Sequence, residues 1–218
     1  MDFGSPFSFA FKDQNWFKKL IIPGLIFLIP IVGWFYLLGW GLEITLQIIR
    51  KEPVVIPETD FGKFLSRGLK AFVISFVYSI PTMIFQIPST LSNAMAQSAS
   101  SDNGTGAILG GLAIITICTS ILNLIYSLVM VFILPAAYAL FLNNNEEIGA
   151  GFRLGEIFAL IKKAPVAYLL TWLGSLIAGM IGGAGVIACV VGLLITIPFS
   201  TLIIAHFYGQ AYNEATKF

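Results

Sequence analysis

Charge is what this chain most conspicuously lacks. Only 11% of its 218 residues are charged, 12 Lys or Arg against 11 Asp or Glu, where a soluble domain carries roughly 25%. From Ala71 to Asn145 the one ionised side chain is Asp102, and from Ala164 to Asn213 there is none besides the titratable His206. A chain so poor in charge cannot coat a globule with water-compatible surface, which excludes a soluble domain. The formal net charge of +1 leaves no extended basic face to neutralise phosphates, which excludes a nucleic-acid partner.

Chemical equipment is equally sparse. The single histidine has no ligand set beside it, and the sequence contains no H-E-x-x-H, C-x-x-C or G-x-S-x-G pattern and no phosphate loop. No catalytic residue, metal site or cofactor is therefore expected, and the chain reads as a non-enzyme. The two cysteines, Cys118 and Cys189, both fall inside apolar stretches; they form no disulfide framework and read as small buried hydrophobes. Alternating apolar and polar residues are also missing, which argues against a β-barrel.

What remains is apolar: 57% of the residues are hydrophobic and the mean hydropathy is +0.90. The long runs exceed the ~20 apolar residues that span hydrocarbon, and helices satisfy every backbone group there. We expect an all-α integral membrane protein, a polytopic helical bundle forming a single membrane domain over residues 1–218. Residues 1–19 mix Phe3, Phe7, Phe9, Phe11, Trp16 and Phe17 with lysines, as an interfacial segment would. Residues 20–49 form an apolar block broken by Pro23, Pro30 and Gly33, read as a hairpin. It is not read as a cleaved leader, because the apolar run continues without a cleavage site.

Spanning helices are expected over 71–95, 107–142, 164–182 and 186–212, with the last pair joined at Gly182-Gly183-Ala184-Gly185. Pro81, Pro88 and Pro135 mark kinks, and residues 96–106 form a loop. Short amphipathic interfacial helices are expected after Asp60, an N-cap candidate, and over Phe152 to Lys163.

Basic residues collect on the cytoplasmic side of a membrane. If the 20–49 block crossed once, either Lys12, Lys18 and Lys19 or the cluster from Arg50 to Lys70 would lie outside. If it bends around Pro30 to Gly33, every basic residue stays inside. Four full spans plus a re-entrant N-terminal hairpin, with both termini cytoplasmic, is thus the leading topology; five spans is the alternative.

Three polar residues stand out within apolar surroundings. Glu43 invites a functional hypothesis because intramembrane carboxylates are costly, although its distance from Arg50 also fits a solvated interfacial group near Gln47. His206 reads first as an interfacial hydrogen-bonding residue and second as a ligand or proton handler. Asn123 can bond between helices. Small residues recur every fourth position at Ser175, Gly179 and Gly183 and at Ala184, Ala188 and Gly192; these faces read as helix-packing surfaces within the last hairpin or between subunits.

The segment Asp13-Gln14-Asn15-Trp16-Phe17-Lys18-Lys19-Leu20, with Leu28-Ile29-Pro30-Ile31-Val32-Gly33, Ile49-Arg50, Pro57-Glu58-Thr59-Asp60-Phe61-Gly62 and Gly68-Leu69-Lys70, resembles a prokaryotic multi-pass membrane family catalogued as domain of unknown function 4013. The resemblance is most specific over Asp13 to Pro81. It implies a prokaryotic cytoplasmic membrane and brings no activity or site residues with it.

The expected function is that of a non-enzymatic scaffold or accessory subunit, in contact with membrane lipids and with itself or another membrane protein. A small transporter or channel for an uncharged or lipidic solute is the alternative, and a membrane enzyme comes third.

Overall fold

Long apolar runs with few breakers leave the backbone one way to pair its own polar groups, and the chain takes it. The computed structural model describes residues 1–99 and 106–217; it is 85% helical, with no strands among the described residues. The helices are α1 (Ser5–Ser8), α2 (Trp16–Phe27), α3 (Val32–Ile49), α4 (Phe61–Ala99), α5 (Gly106–Asn143), α6 (Leu154–Lys163), α7 (Pro165–Ala184) and α8 (Cys189–Ala215). Short 3₁₀ turns lie at Phe9–Lys12, Ile148–Phe152 and Gly185–Ala188. Five helices are long and apolar enough to cross a membrane: α3, α4, α5, α7 and α8.

The chain divides into two compact units, Met1–Ile74 with Phe132–Phe218, and Ser75–Val131. In the first, α3 runs alongside α8 in the same direction. Thr45 donates its hydroxyl to Ala205 O at 2.8 Å, and Asn213 donates its amide to Ile48 O at 2.6 Å. α7 returns antiparallel to α8, and its Thr171 approaches Phe207 O at 3.4 Å. The apolar core lies between these elements, centred on Tyr36, Trp40, Ile44, Phe64 and Leu202.

The expected hairpin is present. α2 and α3 are joined through Leu28 to Ile31, with Ile31 at φ 68° and ψ −59° and the Val32 N–H bonded to Pro30 O at 2.7 Å, the rare and strained form of γ-turn. Gly33 makes the reversal fit, since a Cβ there would lie 2.4 Å from Ile26 O. The arms are unequal: α3, with 18 residues, measures about 27 Å, and α2, with 12, about 18 Å. The long arm thus approaches the ~30 Å thickness of a hydrocarbon core and the short one does not.

Residues 1–19, expected as an interfacial segment, are not free of the bundle. They pack along α8, with Phe3 5.2 Å from Phe207, Phe9 5.1 Å from His206 and Phe11 5.2 Å from Phe199, ring to ring. Phe9 is buried there, whereas Phe11 stays exposed. Two boundaries differ from the sequence expectation. The amphipathic piece after Asp60 is the start of α4 and not a separate helix. Asp60 caps it by accepting from the Lys63 N–H at 3.0 Å, and nothing terminates the helix before the 71–95 stretch.

Finally, α4 continues to Ala99, into the expected 96–106 loop, the middle of which lies outside the described residues. The helices continue through Pro81, Pro88, Pro135 and Pro198.

The second unit consists of the later part of α4 and the earlier part of α5. Tyr126 donates its hydroxyl to Tyr78 O at 2.7 Å and stacks edge-on against Phe85 at 6.0 Å. Most of its large apolar side chains point outward, among them Ile87, Leu91, Ile114 and Leu124, each more than 60% exposed.

A charged junction as candidate functional site

Lys63, Arg67 and Lys70 are spaced i, i+4 and i+7, so α4 presents them on one face. That face meets α3 at close range because Gly39 and Gly68 carry no side chain. A Cβ on Gly39 would lie 1.9 Å from Phe64 O, and one on Gly68 1.7 Å from Phe35 O. The approach brings the cations to Glu43, which the sequence singled out as a lone carboxylate in an apolar block. Lys63 donates to Glu43 Oε1 at 2.9 Å, and the Arg67 guanidinium donates to Glu43 Oε2.

The guanidinium also reaches across to the end of α5, where its Nε donates to Glu146 Oε1 at 2.7 Å, and Lys70 donates to Glu146 Oε2 at 3.2 Å. Glu146 is placed there by a strained turn. Asn145 and Glu146 both adopt positive φ, 53° and 62°, and the Glu146 N–H bonds to Phe141 O at 2.9 Å, a bond that satisfies a last-turn carbonyl. Left-handed Glu is unfavourable by about 1 kcal/mol or more; its ion pairs hold it in place.

Arg67 is the centre of this junction, 2% exposed and bridging two carboxylates from separate elements. For Glu146, burial is the strongest single influence and opposes ionisation. The hydrogen bonds and charges of Arg67 and Lys70 together outweigh it and hold the carboxyl below its ordinary value. Every carboxylate oxygen of the junction accepts from a cation, so the arrangement ties α3, α4 and the end of α5 together; it leaves no carboxylate poised as a free base.

The other sequence candidates lie elsewhere. His206 is buried beneath Phe9, with its Nδ1 3.0 Å from Gln210 Nε2. Gln210 in turn donates to Ser5 Oγ at 3.0 Å and accepts from the Asp2 N–H at 2.9 Å. The hydrogen-bonding role expected of His206 is therefore exercised inside the packing of residues 2–9 against α8, and not at an exposed interface. Asn123 is half-buried on α5, in the other unit. Nothing brings Glu43, His206 and Asn123 together.

Within the last hairpin, the packing face of α7 lies one position from the small-residue stripe expected there. Thr171, Gly174, Ala178 and Gly182 are buried on α7, and a Cβ on Gly174 would lie 2.2 Å from the Phe207 ring. Ser175 is half-buried, and Gly179, Gly183 and Ala184 are exposed. A Cβ on Gly179 or Gly183 would meet nothing within 4 Å. Gly192 does serve a close approach, 2.9 Å from where a Cβ on Gly185 would stand, whereas the side chain of Ala188 lies outside the described residues. Two stripes of small residues one position apart point about 100° apart on a helix, and composition alone does not choose between them.

Sequence reasoning missed Arg67. The signal was available: a lone carboxylate inside an apolar block requires a cation, and basic residues at helical spacing stood 20 positions on.

The family model described as Protein of unknown function (DUF4013) matches residues 22–207. The chain belongs to this family. No curated protein and no solved structure matches it. This DUF4013 chain is thus an all-α, membrane-embedded protein whose charged junction falls within the matched region.

Proposed function

We propose that this DUF4013 protein is a non-enzymatic scaffold or accessory subunit of a prokaryotic cytoplasmic membrane, acting by packing against lipid and against other membrane helices, its own copies included. The observation that carries this reading is the unit Ser75–Val131, most of whose described large apolar side chains face outward. Only 17% of the α4 window and 11% of the α5 window are buried within the chain, against 67% for α3. Van der Waals packing is what drives association between helices in lipid, and this unit offers far more such surface than it uses internally. The charged side chains, for their part, are committed to holding α3, α4 and α5 together.

Orientation follows from the basic residues. Contacts between α3 and the end of α8, and between α4 and the end of α5, gather Arg50, Lys63, Arg67 and Lys70 at the end of the first unit where α8 finishes. The positive-inside rule makes that end cytoplasmic. A reporter fused after Phe218 is expected to be cytoplasmic; an external signal overturns the topology.

The test of function is native mass spectrometry of the protein in lipid nanodiscs. A stoichiometric foreign membrane subunit, or a defined homo-oligomer, supports the scaffold reading. A monomer that catalyses solute flux in proteoliposomes overturns it in favour of the transporter alternative. That alternative rests on proline breaks at Pro23, Pro30, Pro81, Pro88, Pro135 and Pro198 and on the N-terminal hairpin; the break at Pro30 is present between α2 and α3, whereas the helices bearing Pro23, Pro81, Pro88, Pro135 and Pro198 continue through them, so it ranks second.

A further inference from the structure

Beside the charged junction, the connection from α3 to α4 does not stay clear of the bundle. It folds back as an extended strip against α3: Lys19 reaches Ile56 O at 3.5 Å, Trp40 donates its indole N–H to Pro57 O at 3.3 Å, and Val55 N–H bonds to Gln47 Oε1 at 3.0 Å. Between this strip, α2, α3 and the start of α4 lies a cavity of about 690 Å³, within the ~300–1,000 Å³ range of small-molecule sites. It sits beside the last two turns of α3, where the apolar run gives way to Arg50 and Lys51, the depth of lipid headgroups.

The lining carries both signs of charge. Glu43 is part of it, with both oxygens taken by Lys63 and Arg67, and beside it stand donors, of which Gln47 is buried, Lys19 half-buried and Lys63 exposed. Gln47 is buried at 9% exposure, and because its oxygen is taken by Val55, it has its NH₂ group left, which donates to no described residue. Lys19 and Lys63 each have three N–H donors. Lys63 spends one on Glu43 and Lys19 two, on Asp13 and Ile56 O. Two further carboxylates line it. Glu58 is exposed and pairs with no described residue, and Asp60 uses one oxygen as the helix cap. Val55 and Phe61, 53% and 45% exposed, add an apolar rim.

Unspent donors on Gln47, Lys19 and Lys63, exposed carboxylates on Glu58 and Asp60 and an apolar edge at Val55 and Phe61 match a zwitterionic amphiphile in sign. We propose that this cavity binds the headgroup of a zwitterionic phospholipid bearing a primary amine, with the phosphate against Gln47, Lys19 and Lys63, the ammonium between Glu58 and Asp60, and the glycerol end over Val55 and Phe61. A quaternary choline has no N–H to give those carboxylates, and a glycerol headgroup brings no positive charge. The proposal rests on the membrane location and not on the scaffold role, so the two can fail separately.

The experiment reconstitutes the full chain in nanodiscs containing equal phosphatidylethanolamine, phosphatidylcholine and phosphatidylglycerol, and weighs the retained lipid by native mass spectrometry. Wild type is expected to retain phosphatidylethanolamine about tenfold over each of the others, the scale of one charge-assisted hydrogen bond. Glu58→Gln, at an exposed position without a structural partner, is expected to abolish that preference while phospholipid is still retained. Gln47→Met should lower retention of all three lipids, with the melting temperature followed in parallel because Gln47 also anchors Val55. Soluble phosphoethanolamine should compete only weakly, and binding as tight as the lipid's would make the ligand a free phosphate ester and overturn the lipid assignment. Equal retention of the three lipids by wild type, or a preference unchanged in Glu58→Gln, would also overturn it.

Discussion

The two units of this chain make opposite use of the same kind of residue. In Met1–Ile74 with Phe132–Phe218, apolar side chains are turned inward, glycines allow backbone to touch backbone, and an ion-pair junction closes one end. In Ser75–Val131 most of the described large apolar side chains are turned outward, and Tyr126 joins the two helices through Tyr78 and Phe85. Hydropathy is in fact higher where burial is lower: the α5 window averages 2.3 and is 11% buried, whereas the α3 window averages 1.3 and is 67% buried. In a membrane, greasiness alone says nothing about which side faces the protein, because lipid accepts the same side chains as a core does.

If that contrast is correct, substitutions should weigh very differently in the two units. The largest effect is expected for Gly39→Leu. Its side chain has only the backbone of α4 to enter, so loss of more than about 3 kcal/mol, beyond ordinary overpacking, should appear as failure to recover a monodisperse protein from detergent.

Next comes Arg67→Met, which strands two partly buried carboxylates and should cost about 3 kcal/mol in a thermal or denaturant melt. Combining it with Glu43→Gln and Glu146→Gln should restore most of that. If the triple variant is no more stable than Arg67→Met, the junction is not electrostatic.

Third, Gly174→Leu should destabilise by about 1–3 kcal/mol through its collision with Phe207, while Gly179→Leu, one turn on and facing outward, should change the melt by less than about 0.5 kcal/mol. A reversed order would return the packing face to the Ser175, Gly179 and Gly183 stripe.

A smaller effect is expected from pH. The folded-state value of Glu146 is depressed, so its contribution to stability is present above the ordinary carboxylate value and is lost as pH falls through the lower, folded one. Wild type should therefore lose stability on acidification below about pH 4.5, and Glu146→Gln should lose less over the same interval. Parallel curves would remove Glu146 from the junction's energetics.

The smallest effect belongs to the outward unit. Leu124→Ala should shift the melt in detergent by less than about 0.5 kcal/mol, while lowering any association detected in nanodiscs. A loss of several kcal/mol would mean that Leu124 is packed inside and would erase the contrast between the units.

Much of this was legible beforehand. The near-absence of charge from Ala71 to Asn145, Asp102 alone excepted, required membrane helices, Pro30 and Gly33 located the hairpin, and Asp60 marked a helix start that the structure uses. The candidate site was legible only by half. Glu43 stood out because isolation in an apolar block is visible in one dimension; Arg67 did not, because a basic residue in a polar connection looks solvated until the connection folds back. Likewise Phe3 to Phe11 looked interfacial, since the same aromatic rings suit a headgroup region and the side of α8.

By itself, then, the sequence determined the all-α class and the gathering of basic residues at the polar breaks, because these depend on local composition and on the cost of unpaired backbone in lipid, whereas the first apolar block, expected as a hairpin outside the four full spans, contains a fifth helix long and apolar enough to cross. Only the tertiary structure decided which stripe of α7 touches α8, which cation answers Glu43, and that the second unit turns its apolar side chains outward. Those choices depend on helix rotation about its own axis, and a sequence that is apolar on every face leaves that rotation to the packing of neighbours.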